Sequence, residues 1–491
     1  MISFILSLVA LVAGYFIYGR FVERVFGADN RPTPAIYKED GVDYMVLPSW
    51  KVFTIQFLNI AGTGPIFGAI MGAKFGPAAY LWIVFGCIFA GAVHDYMSGM
   101  LSVRNGGANL PDLVGTYLGK TTQTVMLVFS ILLLMLVGTV FVFSPAKILG
   151  GMWEPAWAVE HLGQYSFWII FVFIYYIIAT TLPVDKVIGH IYPVFAVALI
   201  FMALSLMVVL FIKFPDIPEI WEGLKQTPGG ALTKNPIFPC LFISIACGAI
   251  SGFHATQNPL MARCMKHEKM GRPIFYGAMI TEGAVALIWA TVASYFFYGK
   301  PEPAFQLIPG GADALNDAPS IVNMVCQEWL GILGGILALL GVVAAPITSG
   351  DTALRSARLI IADFLKLDQQ PVRKRLYICI PLFAVVYALL VWQMNDSAGF
   401  EKLWGWFGWS NQALSVFTLW TITVYLAKEK KLFWISLIPA LFMTWVCTSF
   451  FVFSPNSLGL NLYLSYGIGF VAVMVAIFWF SRWLRRVEKQ R

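Results

Sequence analysis

Long apolar runs set the first limit on what this chain can fold into. They lie near residues 2–20, 50–73, 77–101, 121–143, 164–182, 189–213, 237–260, 273–298, 329–356, 375–393, 404–427, 432–453 and 461–484. Each approaches the roughly 20 residues a helix needs to cross the hydrocarbon core of a bilayer. A helix closes its backbone hydrogen bonds internally, whereas a β-barrel would show alternating segments about ten residues long. The expected fold is therefore an all-α polytopic membrane protein with about 13 transmembrane helices. Only 12% of the residues are charged, against about 25% in soluble domains, which removes soluble, disordered and disulfide-scaffold classes. The start, MISFILSLVALVAGYFIYGR, has no basic n-region and no small-residue cleavage site, so it reads as a retained helix.

Net charge +7 raises the question of nucleic acid. If Met1 is outside and every span reverses the chain, 26 of the 33 Lys and Arg fall on one side and 7 on the other. That split is the positive-inside signature, so the surplus charge orients helices, and no nucleic-acid partner is expected. The C-terminus is then cytoplasmic. Seven cysteines, Cys87, Cys240, Cys247, Cys264, Cys326, Cys379 and Cys447, are scattered without metal-ligand spacing and read as small core residues.

Two spans carry glycine, proline and polar residues at mid-depth, where an interrupted backbone needs support from protein or a cavity. The first contains Asn59, Gly62, Thr63, Gly64, Pro65 and Gly68; the second contains Cys247, Gly248, Ser251, Gly252, His254, Gln257 and Pro259. Five spans separate equivalent points, and an odd offset makes the two antiparallel. This is the pattern of an inverted repeat with discontinuous helices around a midplane site. The alternative is that the glycines only let helices pack closely.

A third interrupted segment holds Pro346, Thr348, Ser349, Gly350 and Asp351, followed by Arg355 and Arg358. Its hydroxyls and carbonyls suit a small hard cation; Asp351 alternatively pairs with Arg355 one turn later. Ionisable residues inside spans are otherwise few, which makes His94, Asp95, His254, Glu282 and Asp351 candidates for proton or ion coupling, or for hydrogen bonds locking helices together. Asn411 and Gln412 lie deep in the span after Trp404, Trp406 and Trp409, facing either a neighbouring helix or the pathway. No Walker motif or H-E-x-x-H is present, and no nucleophile accompanies His94, Asp95 or His254, so an enzyme is not expected.

The stretches IAGTGPIFGA (60–69), GAVHDYMSGMLSVRNGG (91–107), CGAISGFHATQNP (247–259), YGAMITEG (276–283), APITSGDTALRSARLI (345–360) and LWGWFGWSNQAL (403–414) resemble the carbon starvation protein A (CstA) family. The resemblance runs over nearly the whole chain and fits a shorter branch. It implies a secondary transporter of the bacterial inner membrane, taking up peptides or pyruvate under carbon starvation. The family is in turn similar to LeuT-like amino acid–polyamine–organocation transporters, whose core is two inverted five-helix repeats. That similarity implies one transporter domain with an extra helix at 2–20, repeats at 50–213 and 237–427, and two C-terminal helices at 432–484. It also implies a sodium site near Ala61, Gly64, Thr348 and Ser349. One departure is Ala255-Thr256-Gln257-Asn258-Pro259, where longer members continue with a serine/glycine/threonine stretch.

The resulting expectation is an H⁺- or Na⁺-coupled symporter for a small carboxylate such as pyruvate, or for amino acids or peptides. The carboxylate would sit on exposed amides around Gly62, Thr63, Gly64 and Gly252, with Ser251, His254 and Gln257 giving polar specificity. Apart from a bound Na⁺, no cofactor is expected. A metabolite channel or facilitator and an intramembrane enzyme are the alternatives.

Overall fold

The computed structural model describes residues 1–41, 43–181, 184–222, 235–298, 315–367, 369, 371–396 and 399–489. These residues are mostly helical and contain no strand; a single isolated bridge pairs Pro32 with His267. The long helices are α1 (Ile2–Phe26), α2 (Ser49–Ile60), α3 (Gly64–Phe75), α4 (Ala78–Arg104), α5 (Lys120–Met152), α6 (Ser166–Thr181) and α7 (Val184–Lys213). They continue with α8 (Gly252–Ala262), α9 (Gly277–Tyr298), α10 (Ala318–Leu365), α11 (Val372–Asn395), α12 (Gly399–Lys428), α13 (Trp434–Phe453) and α14 (Leu462–Lys489).

Eight helices among the described residues are long and apolar enough to cross a bilayer, and ten if two bent pairs each count as one span. One bent pair is α2 with α3, at 52°. Thirteen such spans are expected from the sequence, and part of the shortfall has a plain cause. In the expected span at 237–260 the longest unbroken helix, α8, has 11 residues. At about 1.5 Å per residue it covers only about half of the hydrocarbon core.

Burial sorts the helices into layers. The apolar windows of α4 and of the Glu268–Tyr298 helix are 83% buried, whereas that of α14 is 11% buried. α3, α4, α8 and α9 therefore form the centre, and α14 forms a lipid-facing edge packed on α13. α10 packs along both α5 and α7, and α12 closes the centre against α8. At one end Arg104 of α4 donates to the buried Glu268 carboxylate at 3.1 Å, to Gly27 O at 2.7 Å and to Tyr425 Oη at 3.1 Å. Its guanidinium lies 4.0 Å over Phe26, so one side chain ties α1, α4, the 263–271 segment and α12 together.

Candidate functional site

The first break starts at Ala61, whose ψ of 57° leaves the helical region. In an unbroken helix the Gly62 N–H would donate to Leu58 O; here it donates to Ile60 O at 2.9 Å. The freed Leu58 carbonyl is taken by the Ser349 hydroxyl of α10 at 2.8 Å. Thr348, beside it, donates to Ala345 O at 2.9 Å and Ala344 O at 3.0 Å, with Leu58 O at 3.5 Å. Pro65 opens α3 where no intrahelical N–H is required. Asn59 and Thr63 flank the break fully buried, and the amide atoms of Asn59 and the Thr63 hydroxyl have no hydrogen-bond partner.

The second break runs from Ile245 to Ser251, and Ser251 is extended at φ −141°, ψ 120°. The first turn of α8 is capped from another helix: Asn411 Oδ1 of α12 accepts from Phe253 N–H at 2.7 Å and from Ser251 Oγ at 3.0 Å. Its Nδ2 donates to Cys247 Sγ at 3.5 Å, and Gln412 Nε2 donates to Phe242 O at 2.9 Å. Both deep amides of α12 thus hold the second broken segment. The two breaks touch, since a Cβ on Gly64 would overlap the Cys247 side chain, and one on Gly252 would overlap the α12 backbone at Asn411 and Ser415.

A fully buried ionisable chain runs beside this crossing. Asp95 Oδ1 lies 2.7 Å from His94 Nδ1, Asp95 Oδ2 lies 2.8 Å from His254 Nδ1, and His254 Nε2 faces Glu282 Oε2 at 3.5 Å. Asp95 accepts from both Nδ1 atoms, so a neutral His254 would turn the lone pair of Nε2 toward the Glu282 carboxylate. Two facing lone pairs repel unless a cation sits between them. Neither Glu282 oxygen has a hydrogen-bond partner, nor does His254 Nε2 or His94 Nε2. Asn258 of α8 donates to Asp95 O at 3.1 Å and Ser98 Oγ at 2.7 Å, and accepts from Gln56 of α2 at 2.7 Å. The ionisable chain is thereby fastened to the first broken helix as well.

Of the residues singled out from sequence, His94, Asp95, His254 and Glu282 come together. Asp351 does not join them: it accepts from Tyr192 Oη at 3.2 Å, and Tyr192 also donates to Thr348 O at 2.8 Å. Gln257 is bound to Thr256 Oγ1 at 2.9 Å and faces Ser356 Oγ of α10 at 3.4 Å. Thr348 and Ser349 reach Leu58, one turn before Ala61, while Gly64 lies against Cys247. Sequence reasoning placed Cys247 in the second break only as a small core residue and gave Asn258 and Gln56 no role, because neutral residues in apolar runs resemble packing. The available signal for Cys247 was its place at the head of a Gly-rich break, seven residues before His254.

The same architecture occurs in solved transporters. A manganese transporter mutant of Eremococcus coleocola superposes with TM-score 0.56 at 12% identity, over 91% of this chain and 99% of that one. MhsT in complex with L-phenylalanine gives TM-score 0.54 at 14% identity, over 86% and 98%. These likenesses show a shared helical fold alone. Among curated relatives, a membrane protein of Haemophilus influenzae is 44% identical over 358 residues, 64% of this chain and 96% of that protein. The peptide transporter CstA of Bacillus subtilis is 27% identical over 532 residues, 89% and 88% of the two chains. The pyruvate/proton symporter BtsT of Escherichia coli is 24% identical over 602 residues, 94% and 82%. The model of the carbon starvation protein CstA family matches residues 1–159, 139–309 and 302–450, so this chain belongs to that family.

Proposed function

We propose that the protein is an alternating-access symporter that carries a small carboxylate such as pyruvate, or an amino acid or peptide, into the cell with H⁺ or Na⁺. The observation that carries this reading is the crossing of two broken helices at Gly64 and Cys247, beside buried polar atoms without a hydrogen bond: the Asn59 amide, the Thr63 hydroxyl, His254 Nε2 and the Glu282 carboxylate. Each such atom costs about 1–3 kcal/mol while unpaired, a standing cost that a polar substrate or ion relieves on binding. On binding, the carboxylate takes the amides around Gly62, Thr63, Gly64 and Gly252, drawing the Gly62 N–H from Ile60 O and the Ser251 hydroxyl from Asn411.

Two cation positions flank the crossing. Na⁺ would take the carbonyls of Leu58 and Ala61 with the hydroxyls of Thr348 and Ser349. A proton would sit on the Glu282–His254–Asp95–His94 chain. In this reading residues 50–213 and 237–427 are inverted repeats, 2–20 is an added helix and 432–484 forms two more. The protein lies in the bacterial inner membrane, N-terminus outside and C-terminus cytoplasmic, as the 26-to-7 split of Lys and Arg supports.

The test is uptake of labelled pyruvate, alanine and dipeptides into proteoliposomes under imposed H⁺ or Na⁺ gradients. One solute class is expected to enter faster with one gradient and to slow when that gradient is collapsed. Flux of every solute unaffected by either gradient would refute symport.

A further inference from the structure

The ligand-bearing atoms of Cys247, His254 and Glu282 lie within 4.8 Å of one another, and all three residues are fully buried. They come from three separate pieces of backbone: the unwound second break, α8 and α9. The Cys247 thiol is hydrogen-bonded toward Ser251 Oγ at 3.6 Å and receives the Asn411 amide at 3.5 Å. His254 Nε2 and both Glu282 oxygens have no hydrogen-bond partner. In a packed interior such atoms are ordinarily paired, and here they converge on one another.

We infer that this cluster is a binding site for a thiophilic divalent transition-metal ion of the Zn²⁺ type. One sulfur, one imidazole nitrogen and one carboxylate oxygen make a donor set such an ion accepts, and three protein ligands leave a fourth tetrahedral position open. Bond lengths of about 2.0–2.3 Å place tetrahedral ligand atoms about 3.5 Å apart. Side-chain rotations of about 1 Å from the present spread therefore close the site. The outer contacts are already those of a metal centre. Asp95 holds His254 through Nδ1 at 2.8 Å, which turns Nε2 inward, and Asn411 supplies an N–H to the sulfur. Carboxylate–histidine–metal relays and amide-supported thiolates orient and strengthen ligands in this way. Cys247 also abuts Gly64, so a bound ion would sit where the two broken helices meet and would tie the second break to α9.

Binding is measured without reference to transport. The purified full-length protein in detergent is loaded with ZnCl₂, dialysed and assayed for metal, and separately titrated with Co²⁺. About one retained Zn²⁺ per chain and a thiolate-to-cobalt charge-transfer band are expected. Cys247→Ser should lose the band, Glu282→Gln should weaken retention at least about tenfold, and Cys326→Ser, at a buried cysteine outside the cluster, should keep both. A wild-type protein that retains no metal and shows no thiolate band overturns the site, whatever the variants do. Retention undiminished in the Cys247→Ser, Glu282→Gln double variant overturns it as well.

Discussion

Asp95, fully buried, meets a histidine at each of its two carboxylate oxygens, His94 at 2.7 Å and His254 at 2.8 Å. Asp95→Ala leaves two buried imidazoles without their acceptor. A destabilisation of about 3–5 kcal/mol is expected, as for other broken buried pairs, and is read from the urea midpoint of the purified protein. Asp95→Asn keeps the shape and removes the charge; here the fold should survive while gradient-driven uptake falls about tenfold or more, a loss on the scale of one coupling free energy. Full uptake by a folded Asn variant would take Asp95 out of the coupling path. The members of this cluster were legible in the sequence because ionisable residues inside apolar spans are rare. Their pairing was not, since Asp95 and His254 are 159 residues apart. Asp351 illustrates the limit from the other side: equally conspicuous in the sequence, it hydrogen-bonds to Tyr192 and stands apart from the cluster.

Helix breaks are the next level. Both were legible because glycine, proline and polar residues coincide in otherwise apolar runs, a combination that membrane helices tolerate only against protein or a cavity. The same combination at Pro346–Asp351 announced a third break that does not form, since α10 continues as helix through Pro346 and leaves helical geometry at Gly331 instead. What takes up the freed backbone groups was not legible. Ser349 and Asn411 do so from helices far along the chain, and no local pattern announces that partnership. The contact between the breaks is tight enough to test directly. Gly64→Ala drives a methyl into the Cys247 side chain, and overpacking of this kind costs about 1–3 kcal/mol. Thermal stability and uptake should both drop, and Cys247→Gly in the same chain should restore stability, giving a favourable interaction energy in a double-mutant cycle. Additive effects would mean that the breaks do not touch. Where α10 meets α2, Thr348→Ala with Ser349→Ala removes the hydroxyls beside Leu58 O. Any Na⁺ stimulation of uptake is expected to vanish; unchanged stimulation would place the sodium elsewhere.

For the whole molecule, the apolar runs announced a helical membrane body, and the helices that are long and apolar enough to cross number eight to ten among the described residues. Part of the difference reflects physics the runs conceal, since the span interrupted between Ile245 and Ser251 keeps its apolar composition and loses its helical length; α10 and α12 keep their length and are not among the eight. Orientation rests on charge alone and has its own test. With Arg486→Cys in a chain whose native cysteines are all buried, a membrane-impermeant thiol reagent should label intact cells weakly and inverted vesicles strongly. The reverse pattern would invert the topology. Coupling is reciprocal by thermodynamic necessity: an ion gradient that drives the solute inward implies that a solute gradient alone drives the ion. The decisive measurement therefore imposes an inward gradient of the accepted solute on proteoliposomes at equal pH and equal Na⁺, and records lumenal pH and Na⁺. Symport predicts that solute entry acidifies the lumen or loads it with Na⁺, against the gradient that builds up. Solute entry with neither change would contradict it.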